Sequence, residues 1–134
     1  MLPDYVTRPF RLYAVFRGRS TRREYWCFAI VALAVLFAAV CLGSAVDDSG
    51  SKKGMVTLFV IVALASLPPG LALKARRLHD IGLSAWWMLA IGVPLVGGLI
   101  DLFFGLKPGD AGENRFGPDP RATGPVTEDR QASV

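Results

Sequence analysis

The sequence predicts an all-α integral membrane protein with three transmembrane helices, a short amphipathic N-terminal segment in the interface, and a flexible C-terminal tail. Three observations carry that prediction. The 134 residues are 52% apolar and only 19% charged, and the mean hydropathy is +0.40, far from the composition of a disordered chain. Its charges leave three stretches empty: 25–46 with 22 residues, 54–73 with 20, and 81–100 with 20, the last continued by Leu102, Phe103, Phe104 and Leu106. A 22-residue helix rises about 33 Å, enough for a hydrocarbon core of about 30 Å. None of the three alternates with period two, so backbone groups that lipid cannot satisfy must be paired inside helices rather than around a barrel. A soluble reading, with the three runs as core helices, leaves only an arm, two brief loops and a tail to cover them.

The chain divides accordingly into a basic amphipathic arm (1–24), a three-helix membrane domain (25–106, spans about 25–46, 54–73 and 81–104), and a Pro/Gly-rich tail (107–134) expected to be disordered after about 121. In the arm, Phe10, Tyr13, Ala14 and Phe16 interleave with Arg8, Arg11, Arg17 and Arg19, the pattern of a segment lying in the headgroup layer, and Gly18 separates it from the first span. Thr21 and Glu24 have capping-box spacing, which starts the first helix at Arg22. Tyr25, Trp26 and Phe28 then form an inner aromatic belt. The apolar run is too long, and too far behind a polar arm, for a cleaved signal. Cys41 lacks the small and leucine positions of a lipoprotein site.

The second span contains Pro68 and Pro69, which remove two donors and predict a kink, with Ser66 placed to help satisfy the freed backbone. Such a kink serves either as packing shape or as a hinge. Ser66 and Gly70 form a small-xxx-small pair. The third span opens on Trp86 and Trp87 and contains Gly92, Pro94, Gly97 and Gly98, small residues that admit a neighbouring backbone.

Charge placement predicts the threading. The arm is net +4, the 47–53 loop neutral, the second loop (74–80) net +2, and the stretch from Asp101 to the end net −2. Retention of Lys and Arg on the cytoplasmic side then puts the N-terminus inside and the tail outside, in the periplasm. The same rule accounts for the pI near 9.4, since basic residues collect at anionic headgroups. Nucleic acid is not expected as a partner. Membrane lipids are, together with a protein partner or further copies of the chain.

Few residues suggest chemistry. Two cysteines and one histidine exclude a Cys-based four-ligand zinc site, a His-rich centre or a disulfide framework. Cys27 and Cys41, 14 residues apart on one helix, are about 21 Å apart and cannot pair. No catalytic, cofactor or metal residues are expected. The densest polar cluster is Arg76, Arg77, His79 and Asp80. Its acid and histidine form either a proton-handling pair or, more simply, a helix cap and an arginine partner. Asp101 is the one ionisable residue that could sit within the bilayer, and is either a functional intramembrane carboxylate or a group at the outer headgroups.

Three strings in order, Phe16-Arg17-Gly18-Arg19 with Arg22-Arg23-Glu24-Tyr25-Trp26, Arg76-Arg77-Leu78-His79-Asp80 with Ser84-Ala85-Trp86-Trp87, and Asn114-Arg115-Phe116-Gly117-Pro118-Asp119-Pro120, span roughly residues 10 to 120. On these the chain resembles the domain of unknown function 805 family of small bacterial inner-membrane proteins (the YhaH-like proteins). The resemblance implies a bacterial cytoplasmic membrane and brings no activity. With arm and second loop on one face, Arg22, Arg23, Glu24, Arg76, Arg77, His79 and Asp80 are expected to form a surface network. Glu24 and Asp80 would neutralise some guanidiniums and leave others for lipid phosphate or an acidic partner. A non-enzymatic membrane module fits this best; the alternative is a homo-oligomeric channel or transporter, suggested by Pro68, Pro69, Pro94 and Asp101.

Overall fold

The computed structural model describes residues 4–46 and 52–122. Most of the 47–53 loop and the tail beyond 122, where disorder was expected, lie outside the described residues. The described residues are helical, with no strand and one isolated bridge between Asn114 and Gly117.

Helix α1 (Asp4–Arg11) is the arm. It packs on the two long helices: Phe10 meets Phe28 at 5.6 Å between ring centroids, and Pro9 is fully buried. Helix α2 (Arg22–Val46) starts where the capping residues place it. Thr21 Oγ1 accepts the Glu24 N–H at 3.2 Å, while the Glu24 carboxylate turns to other partners described below. Helix α3 (Lys53–Asp80) returns antiparallel over 28 residues. At the far end Gly43 lies against the Met55 backbone so closely that any Cβ would overlap it. By length and composition α2 and α3 can each cross a membrane.

One expectation about α3 is corrected. The second loop is helix: Lys74, Arg76, Arg77, His79 and Asp80 occupy the last two turns of α3, where good helix formers meet partners for their charges. Pro68 and Pro69 lie inside this continuous element. Pro69 frees the Ala65 carbonyl, and the Tyr13 hydroxyl of the arm donates to that oxygen at 3.1 Å. Ser66 bonds the Ala63 carbonyl instead, at 2.9 Å. α3 ends in a Schellman motif, with Gly82 left-handed (φ +76°), Gly82 N–H on His79 O at 3.2 Å and Leu83 N–H on Leu78 O at 2.9 Å.

The third apolar stretch is not one 24-residue helix. It runs as a 3-10 turn (Ala85–Trp87), helix α4 (Met88–Ile91), a reversal, and helix α5 (Gly97–Leu106). The reversal has three causes. Pro94 withholds a donor, Leu95 sits at φ +69°, and Gly97 presses on the Ile91 carbonyl where a Cβ would collide. At 10 residues α5 rises about 15 Å, half a bilayer. It begins beside α4 and ends beside the start of α2, where Arg22 Nη1 donates to Leu106 O at 3.1 Å. The stretch therefore leaves and returns to the same end of the α2–α3 pair. Met88, Ile91 and Gly92 form, with Ser66, Leu67, Gly70, Leu71 and Lys74 of α3, a cleft of about 300 Å³. The hairpin thus reaches the level of Ser66, about 21 Å along α3 from Asp80.

Burial is inverted relative to a soluble protein. Ile30, Leu33, Phe37, Leu64, Leu95 and Leu99 are each at least 60% exposed, whereas Arg19, Glu24, Arg76, Arg77 and Asp80 are buried. A small apolar cluster of Leu78, Ile81 and Phe104 joins the hairpin to α3 just beneath those charges.

Candidate functional site

The polar end is built on Asp80, in the last turn of α3. Its Oδ1 accepts from Arg19 Nε at 3.0 Å and lies 2.9 Å from Arg19 Nη2. Its Oδ2 takes Arg77 Nη1 at 2.6 Å. The three side chains are at most 3% exposed. A carboxylate between two buried guanidiniums is strongly oriented, since removing either kind of partner would strand a charge away from water.

Both arginines use their remaining N–H groups to collect backbone carbonyls from the C-terminal segment. Arg19 donates to Gly112 O and Asp110 O, each at 2.5 Å. Arg77 donates to Phe104 O at 3.1 Å and to Lys107 O. With Arg22 on Leu106 O, the exposed carbonyls at the end of α5 are capped by cations, as its dipole favours. Asp110 N–H returns to Asp80 O at 2.7 Å. Gly109 passes the Asp80 carboxylate so closely that a Cβ there would occupy the carboxylate's position.

The tail completes the end. Asn114 Nδ2 donates to His79 O at 2.9 Å, and its Oδ1 accepts Phe116 N–H at 2.9 Å in a turn closed by Gly117. Phe116 stacks on the His79 ring at 4.0 Å and 8°. His79 Nδ1 donates to Gly18 O at 3.1 Å, because a carbonyl can only accept. That ring is a strut between arm and tail. Farther on, Asp119 pairs with Arg121 at 2.9 Å, whose hydrogen bonds hold its carboxyl down to about 2. Arm and tail, expected on opposite faces, thus meet directly at the end to which α5 returns.

A second group flanks the first. Glu24 Oε1 accepts Arg8 Nη1 at 2.6 Å, and its Oε2 accepts the Ser20 hydroxyl. Ser20 N–H bonds Arg76 O at 3.1 Å, so the arm is laced to α3. Arg76 is 2% exposed, yet among the described residues none of its three guanidinium nitrogens has a hydrogen-bond partner. Asp101 lies one level deeper. It accepts from Tyr25 OH at 2.7 Å and pairs with Lys74 at 2.6 Å, which ties α5 to α2 and α3 near the polar end.

Of the residues singled out from sequence, Glu24, Arg76, Arg77, His79 and Asp80 gather at this end, and Arg22 and Arg23 sit beside it on the exposed side. Ser20, Gly109, Asp110, Asn114 and Phe116 were not assigned a role, and Arg8 and Arg19 were placed only in the amphipathic arm. Arg19, Asn114 and Phe116 stood inside the resemblance strings, which were the available signal. Among the described residues no group of three or more His, Cys, Asp or Glu could hold a metal ion.

The family model described as a protein of unknown function, DUF805, matches residues 13–118. The chain belongs to this family. It is 37% identical over 120 residues to "Inner membrane protein YhaH" of Escherichia coli K12, covering 88% of this chain and 97% of YhaH. It is also 37% identical over 111 residues to "Inner membrane protein YhaI" of the same strain, covering 81% of this chain and 88% of YhaI. No solved structure matches. Arg19, Glu24, Arg76, Arg77, Asp80, Asp110 and Asn114 all fall inside the family span; Arg8 and the whole of α1 precede it.

Proposed function

We propose that this chain is a non-enzymatic module of the bacterial inner membrane that presents a basic cytoplasmic face to anionic lipid. In this reading α2 and α3 cross the bilayer, and the third apolar stretch is a re-entrant hairpin from the cytoplasmic side. Arm and tail both lie in the cytoplasm. The observation that carries it is the pairing of Arg19 with the tail carbonyls of Asp110 and Gly112. Groups 2.5 Å apart cannot face opposite sides of a membrane.

The charge count then becomes one-sided. Twelve of the fifteen Lys and Arg lie in the described arm, α3 end and tail, against Lys52 and Lys53 at the far end, a stronger bias than the threading with an outside tail. Arg11, Arg17, Arg22 and Arg23 are exposed there, and each is worth about 1 kcal/mol against an anionic surface. The channel alternative loses one of its supports, since Asp101 is engaged by Tyr25 and Lys74.

The threading is tested by labelling Arg17→Cys and Ala122→Cys, each in a Cys27→Ser, Cys41→Ser background, in oriented vesicles. Both are expected to react from the cytoplasmic face. Reaction from opposite faces would overturn the reading. In a companion measurement, Arg22→Gln with Arg23→Gln should lower the enrichment of phosphatidylglycerol around the chain in mixed bilayers, in a salt-dependent way.

A further inference from the structure

Arg76 is the one unsettled charge of the buried network. A guanidinium carries five N–H donors, and a cation removed from water is ordinarily paired or coordinated. The acid nearest in charge is Glu24, whose two oxygens are already engaged by Arg8 and Ser20. Across the whole network Arg19, Arg76 and Arg77 stand against Glu24 and Asp80, one positive charge in excess, and Arg8 adds another at the rim. Arg19 and Arg77 spend their N–H groups on carbonyls; Arg76 has none among the described residues.

The arm lies along the face of α3 that carries Arg76. Ala65, Pro69, Ala72 and Arg76 fall on one stripe of α3. Tyr13 is bonded at the top of that stripe, Ser20 at its foot, and α1 packs between them with Pro9 fully buried. The arm is also suited to leave: Tyr5, Phe10, Tyr13, Val15 and Phe16 are exposed, side chains that an interfacial segment buries among headgroups. Its attachments among the described residues include the Arg8–Glu24 pair, the Tyr13 hydroxyl and the packing of Pro9 and Phe10 on the long helices.

We propose that α1 is a cover over an anion site, in which Arg76 and Arg8 together take the phosphate of an anionic lipid when α1 lifts into the headgroup layer. Phosphate replaces Glu24 as the partner of Arg8 and gives Arg76 its first, while Glu24 keeps the Ser20 hydroxyl. Planar guanidiniums bind phosphate oxygens in pairs, which suits this chemistry better than a lysine would. The inference rests on the cytoplasmic placement proposed above but not on the exposed arginines.

The full chain in phosphatidylcholine nanodiscs, with and without phosphatidylglycerol, tests it. Hydrogen exchange of the 5–11 amides should rise when phosphatidylglycerol is present, and native mass spectrometry should find one such lipid retained per chain. Arg76→Gln should reduce that retention about tenfold and abolish the exchange response. Arg22→Gln with Arg23→Gln should leave both intact, so loss of the exposed-face reading and loss of this site are separable. Inorganic phosphate added to phosphatidylcholine discs distinguishes the source. The same rise in exchange means that any phosphate seats, and no rise means that the lipid is required. Unchanged 5–11 exchange in the wild-type chain on adding phosphatidylglycerol overturns the proposal, whether or not Arg76→Gln folds. Undiminished lipid retention by a folded Arg76→Gln also overturns it.

Discussion

Two apolar stretches of this chain contain proline, and they end differently. Around Pro68 and Pro69, α3 continues for 28 residues from Lys53 to Asp80. Around Pro94 the chain reverses and α5 comes back. In α3 the prolines stand between Leu67 and Gly70 within the helix, and the Ala65 carbonyl that Pro69 strands is taken up by Tyr13 from another segment. At the reversal Gly92 ends α4, Leu95 adopts a left-handed conformation, and Gly97 allows the returning helix to touch Ile91 O. A proline removes a donor in both places. What decides between continuation and reversal is whether a partner reaches the stranded carbonyl and whether a glycine makes room for the turn.

The comparison breaks most readily at Gly97. Gly97→Val puts side-chain carbon onto the Ile91 carbonyl and should destabilise the hairpin by about 2–4 kcal/mol, seen as a lower melting temperature in detergent and faster amide exchange over 88–104. Unchanged stability would mean the reversal is not held there. Next in size is Asp101→Ala, which frees α5 from Tyr25 and Lys74 and should cost about 1–3 kcal/mol, with a matching rise in α5 exchange. Tyr13→Phe should cost about 1 kcal/mol. In a Pro69→Ala background, where residue 69 regains an N–H for Ala65 O, the same change should be nearly neutral. A double-mutant cycle with no coupling would show that the hydroxyl does not serve the proline gap.

The smallest effect lies in the tail. Hydrogen bonds from Arg121 lower the Asp119 carboxyl from 3.8 to about 2. Their local contribution is therefore complete above about 3.8 and is lost as the pH falls through about 2. A carboxyl titration by NMR should find Asp119 near its ordinary value in Arg121→Gln. An unshifted titration in the wild-type chain would remove the pair.

Much of the fold was legible because lipid imposes a simple rule. Segments 25–46 and 54–73 were read as helices from uncharged length alone, and Thr21 located the start of α2. The third stretch was equally apolar yet did not form a single span, because composition reports what a segment can be buried in and not whether it turns. The site was partly legible for a related reason. Glu24 and Asp80 were matched to arginines by sharing a face, but the pairing of Asp80 with Arg19 joins residues 61 positions apart, and no helical spacing encodes that. Gly109 and Asn114 read as loop residues, since their role exists only where the tail meets α3.

By itself the sequence determined that the chain is helical, apolar enough for a membrane, and charged at one end of its long helices, since each of these follows from local composition and the 1.5 Å rise of a helix. Only the tertiary structure decided that the third stretch returns, that arm and tail share an end, and which arginine is left without a partner. Those outcomes depend on which buried charges find one another, and a buried charge is satisfied by whatever reaches it in space, however distant in the chain.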